Sequence, residues 1–155
     1  MKYPHPYIEH SGKVIPADDH FKHVMAITLD PSSGNRSGVA RCITSRSGDV
    51  SKRGNIDRSE LHFIQGSSLE QFTVGKRLSI RNEEEVVAAL LAEDPDNLDF
   101  IGFEDPDIWI EPETNLIHLY FTIPLILKNK KPGTHSRVSL GHAVGSTLDS
   151  LEMTV

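Results

Sequence analysis

The sequence predicts an all-β chain built from two four-stranded units in tandem. Three observations predict it: short β-rich runs closed by turn residues, a single helical stretch, and two segments that recur at nearly one spacing.

The strand runs come first. Residues 24–29, 38–43 and 61–64, then 108–110, 116–127 and 138–144, are rich in Val, Ile, Leu, Phe and Thr. Clusters of Gly, Pro, Asn, Asp or Ser bound each of them, which is the strand-and-turn pattern. Only residues 82–92 read as a helix. Glu83, Glu84 and Glu85 precede Val86, Val87, Leu90 and Leu91, so acids stand at the positive end of the helix dipole. Asp94-Pro95-Asp96-Asn97 ends it.

The repeat organises these elements. Gly66-Ser67-Ser68-Leu69-Glu70-Gln71-Phe72 returns as Gly145-Ser146-Thr147-Leu148-Asp149-Ser150-Leu151, with Gly145 lying 79 positions after Gly66. Leu29-Asp30-Pro31-Ser32-Ser33-Gly34 returns as Ile110-Glu111-Pro112-Glu113-Thr114-Asn115, with Pro112 lying 81 positions after Pro31. The acid-Pro segment is turn chemistry, because proline presets φ and Gly or Asn accepts positive φ. A unit of this size holds four strands, about one propeller blade, and a β-sandwich is the competing arrangement. The chain thus divides into a lead-in (1–20), a first blade (21–80), a helical or loop connection (81–98) and a second blade (99–155).

Composition narrows the function. The 155 residues suffice for one domain that buries about two-thirds of its unfolded surface. Sixteen Lys+Arg against 22 Asp+Glu give a net charge of −6, which disfavours nucleic acid and anionic membranes as partners. The single cysteine, Cys42, suits a small buried position in a strand. No apolar run approaches the length of a membrane span, and residues 1–10 lack the apolar core of a secretory leader, so a cytoplasmic location is the default expectation. Among the eight histidines, His5, His10, His20 and His23 have no ligand spacing, so neither a metal nor another cofactor is expected.

The second unit carries a more specific likeness. Phe103-Glu104-Asp105-Pro106-Asp107-Ile108-Trp109-Ile110, followed by Ile117-His118-Leu119-Tyr120-Phe121-Thr122, resembles a blade of the five-bladed β-propeller glycosidases and glycoside phosphorylases (glycoside hydrolase families 43 and 130, and more distantly 32). Residues 138–149 resemble the segment that closes such a blade. The likeness covers residues 99–151 directly and residues 21–72 through the internal repeat. It implies the amino-terminal blades of a catalytic propeller that cleaves oligo- or polysaccharide glycosidic bonds. Family 130 usually has Arg after the Asp-Pro, where this chain has Asp107, so hydrolysis is favoured over phosphorolysis.

The candidate residues follow from glycosyl chemistry, which needs one protonated and one ionised carboxyl group. The catalytic candidates are Asp105 and Glu104, with Pro106 fixing the backbone between two acids. Asp107, Trp109 and His118 are the candidates for substrate contact. Trp109 suits either the core or a sugar platform, and His118 either Asp105 or the backbone. The first copy lacks the acid, since Val24 lies 81 positions before Asp105. Arg58 and Arg137 follow loops at similar places in the two copies and are expected in solvent. Ser67 and Ser68 have no His or Asp companion for a nucleophilic triad. Two blades leave open sheet edges, so self-association or a complementary chain supplying further blades is expected. The reading from a different class is a non-catalytic carbohydrate-binding or assembly module with the same blade pattern.

Overall fold

The computed structural model describes residues 21–49, 51, 55–68, 71–128 and 135–154. The lead-in at 1–20, with His5, His10 and His20, lies outside the described residues, as do Leu69 and Glu70 of the repeat.

Strands β1 (His23–Leu29), β2 (Ser37–Ser47), β3 (Ile56–Ser68) and β4 (Gln71–Arg77) follow one another as an antiparallel meander. Helix α1 (Glu83–Leu91) and short β5 (Leu98–Phe100) connect it to a second meander. That meander comprises β6 (Glu104–Ile110), β7 (Ile117–Leu127), β8 (His135–Gly145) and β9 (Glu152–Met153). β5 joins it by pairing with β7 beyond the start of β6. The chain is all-β in character, with two antiparallel sheets and one helix among the described residues.

Local chemistry explains the turns. Between β1 and β2, the Asp30 carboxylate accepts hydrogen bonds from Ser32 N at 2.8 Å and Ser32 Oγ at 2.6 Å, and Gly34 takes φ 67°. Between β6 and β7, Thr114 Oγ1 donates to Glu111, and Asn115 takes φ 58°. The two acid-Pro segments therefore close equivalent hairpins, Leu29 opposite Gly38 and Ile110 opposite Ile117. Gly66 and Gly145 are equivalent in the same way, each near the end of a third strand and closely approached by the chain that returns into the fourth. The helix starts at Glu83, whose carboxylate accepts from Ile80 N at 3.2 Å. Val86, Val87 and Leu90 of the helix pack onto the main core.

Two apolar layers hold the sheets. Val39 and Leu61 of the first sheet meet Ile117, Leu119, Phe121 and Ile123 of the second, and Phe103 and Leu151 complete that layer. A smaller layer on the opposite face of the first sheet contains Ala40, Cys42, Ile64 and Phe72, so Cys42 is the buried strand residue expected. None of the helices is long and apolar enough to cross a membrane among the described residues.

Candidate functional site

β1 and β6 lie next to each other where the two sheets meet, and the Ile108 amide donates to Thr28 Oγ1 at 2.9 Å. Both strands are bulged. The β1–β2 register shifts between Met25 and Ile27, and the β6–β7 register shifts between Glu104 and Asp107. Each bulge holds a left-handed non-glycine residue, Ala26 at φ 40° and Asp105 at φ 51°. Bulges re-aim side chains, and here the second one turns the Asp105 carboxylate outward. Its side chain is 58% exposed.

The group that meets these acids is a cation from the other sheet. Arg41, on β2, bonds Asp105 Oδ1 through Nη1 at 3.0 Å and Glu104 through Nη2. Its Nε donates to Ser59 Oγ at 2.9 Å, and Ser59 Oγ lies 3.3 Å from Glu104 Oε1. The backbone beneath is held as well, since Ser59 N donates to Ile101 O at 2.9 Å and Thr122 Oγ1 to Glu104 O at 3.3 Å. Arg41 and Glu104 are nearly buried, whereas Asp105 opens to solvent. One guanidinium therefore holds two adjacent carboxylates at the start of β6.

The other candidates fall elsewhere. Asp107 stands opposite Tyr120 and Trp109 opposite His118, on the face of the second sheet turned away from the first. The Trp109 and His118 rings lie 5.0 Å apart, and His118 Nδ1 is 2.9 Å from His142 Nε2, one ring donating and the other accepting. Desolvation, and then the neighbouring His118, push the His142 pKa below its usual value. Arg58 pairs with Asp99 and Arg137 with Glu93, both at half-exposed positions. A cleft of about 540 Å³ opens between the sheets at the opposite end of the strands, near Asp30, Gln65, Lys76 and Asp149. Among the described residues, no group of three or more His, Cys, Asp or Glu side chains could hold a metal ion.

Sequence reading missed Arg41. Its signal is that it stands as the lone charge inside the apolar run 38–43, where a charged side chain needs a partner. Comparison with protein-family models, with curated proteins and with solved structures finds no match.

Proposed function

We propose that the two meanders are adjacent blades of a five-bladed propeller that hydrolyses glycosidic bonds, with Asp105 as a catalytic carboxylate and Glu104 supporting it. One observation carries this reading: the first strand of each sheet is bulged at a left-handed residue beside the sheet junction, Ala26 before the first hairpin and Asp105 further from the second, and only the second bulge carries an exposed acid, held by Arg41. A bulged first strand is common to both sheets, whereas the carboxylates belong to the second alone. Glycosyl transfer needs a carboxylate that acts as base or nucleophile beside a separate proton donor. Asp105 takes that role because it reaches solvent; Glu104 fixes Arg41 beneath it. The proton donor comes from another strand of the assembled channel. Asp107, Trp109 and His118 act on the far face of the second sheet rather than on the reacting bond.

The test uses the protein as the cell produces it and a panel of aryl glycosides covering pentoses and hexoses in both anomers. Hydrolysis of at least one substrate is expected, and Asp105→Asn should lower turnover by a factor of about 10² to 10⁴ with little change in melting temperature. Turnover unchanged by Asp105→Asn removes Asp105 from the chemistry. No hydrolysis across the panel leaves the fold without this activity.

A further inference from the structure

The register of the first sheet sets three polar side chains in one row. Ser37 on β2 pairs with Gln65 on β3, and Gln65 pairs with Thr73 on β4. Val39 and Phe63 are paired two positions along the same strands, so alternation of strand faces turns the polar row the way Val39 points, toward the second sheet. Nearer the middle of the strands that side is apolar, with Val39 and Leu61 buried in one core with Ile117 and Leu119. Over the polar row the sheets part, leaving the cleft of about 540 Å³.

The cleft combines an apolar base with uncharged polar groups. Phe63, Ile117 and Leu148 line it, the last two buried in the main core. Ser146 and Thr147 line the opposite wall, with hydroxyls that bond Ser150 within their own turn. The side chains of Ser37 and Gln65 make no hydrogen bond among the described residues, although their backbones do. Charge here is cancelled. Lys76 Nζ bonds Asp149 Oδ1 at 2.6 Å and stands 5.1 Å from the centre of the Phe63 ring. The buried Asp30 carboxylate is occupied by Ser32 of its own turn.

We infer that this cleft is a second binding site, which takes a neutral oligosaccharide away from the reacting bond. Its volume lies in the range of small-ligand sites, about 300–1,000 Å³. Three neighbouring strands carry the polar row over about 10 Å, room for two linked sugar rings. A sugar's hydroxyls find both donors and acceptors there, since the Gln65 amide offers each and the Ser37 and Thr73 hydroxyls do the same. Its C–H groups rest on Phe63, Ile117 and Leu148. Other ligand classes fit less well. An anion would meet Asp30 and Asp149, and the one cation lining the cleft among the described residues, Lys76, is already paired. An apolar ligand would cover the Gln65 amide without replacing its water, which is costly. The inference rests on the glycan part of the proposed function and not on Asp105, which lies at the other end of the strands. A site so placed holds a glycan chain to the protein without taking part in its cleavage.

The test is calorimetric titration of the full-length protein, and of its Asp105→Asn variant, with cellotetraose, xylotetraose and mannotetraose. Trigalacturonate serves as the charged comparison. At least one neutral tetrasaccharide should bind, equally well to both proteins, and trigalacturonate should not. Gln65→Ala should weaken that binding about tenfold, the worth of a lost hydrogen-bonding group. Thr73→Trp sets a ring into the cleft from an exposed strand position and should abolish binding. Melting temperatures show whether each variant is folded; should Thr73→Trp not fold, Gln65→Ala alone decides. No binding of any neutral tetrasaccharide overturns the inference, as does preference for trigalacturonate. So does binding indifferent to the cleft variants, or binding lost in Asp105→Asn, which would place the sugar at the acids. Titration of Asp105→Asn reads binding without turnover, so failure here is distinct from failure of the proposed hydrolysis.

Discussion

Nη1 of Arg41 lies 3.0 Å from Oδ1 of Asp105, across the junction of the two sheets. The same guanidinium engages Glu104, so one first-sheet residue organises both acids of the second. The two contacts differ in worth. Asp105 is well exposed, and an exposed ion pair contributes about 0–1 kcal/mol. Glu104 has only 14% of its side chain exposed, so the loss of its cation leaves a carboxylate with little water to replace it.

Arg41→Met should therefore destabilise the chain by about 1–3 kcal/mol, most of it through Glu104. Asp105→Asn should cost less than about 1 kcal/mol. Urea denaturation of the two variants side by side checks the order, and an Asp105→Asn cost equal to that of Arg41→Met would show that the exposed pair matters more than its burial indicates.

The bulge predicts an opposite sign. Ala26 has φ 40°, a conformation that costs a residue with a Cβ roughly 1–2 kcal/mol and costs glycine almost nothing. Part of that gain is lost to the greater freedom of glycine in the unfolded chain. Ala26→Gly should thus raise stability by about 0.5–1 kcal/mol. A fall in the urea midpoint would mean that the Ala26 methyl group makes contacts that outweigh the strain.

These residues also show what a sequence can and cannot display. The strand runs were legible because branched residues alternate with turn residues, and the hairpins at Asp30-Pro31 and Glu111-Pro112 because their chemistry is local. The helix was legible from three acids followed by Val86, Val87 and Leu90. β4, β5 and β9 were not, since Gln71–Arg77 is mostly polar and exposed, and Leu98–Phe100 and Glu152–Met153 are too short for a period to register. The adjacency of Glu104 and Asp105 was visible, but their cation was not. Arg41 reaches them across 64 residues through the packing of two sheets, and the left-handed turn at Asp105 arises from a register shift that no local pattern encodes. Trp109 and His118 lie only nine positions apart, yet their place beside His142 depends on β7 pairing with β8.

The His118–His142 contact predicts a pH response. Burial, reinforced by His118, holds the His142 pKa below 6.5 in the folded chain, so the unfolded chain binds the proton more readily. The stabilisation is complete above about pH 6.5 and is lost as pH falls through the lowered folded value. The groups that face this ring are His118, Tyr120 and Thr154, the last with Oγ1 2.5 Å from Nδ1. Melting temperature should drop between pH 7.5 and 5, and His142→Asn should flatten that drop. An equal slope in the variant would assign the pH dependence to other groups.

Gly102 carries the last prediction, because it joins the framework to the carboxylates. It sits at φ +119°, two residues before Glu104, and pairs in parallel with Ser59, the residue that supports Arg41. A Cβ built there would lie 1.9 Å from the Ser59 carbonyl oxygen and 2.7 Å from its carbonyl carbon. Those are backbone atoms of a paired strand and cannot rotate away. Gly102→Ala must therefore push the chain before β6 off β3, breaking the Ser59 N to Ile101 O bond and moving Glu104 from Arg41. The cost should exceed about 3 kcal/mol, in the range reserved for a named structural clash. Gly34→Ala is the matched control. Gly34 also has positive φ, at +67°, but a Cβ there meets nothing within 4 Å, so only the conformational penalty of about 1–2 kcal/mol applies. Denaturation midpoints of the two variants separate strain from collision. Equal losses would place Gly102 in a looser junction than the one described, and with it the support beneath Arg41.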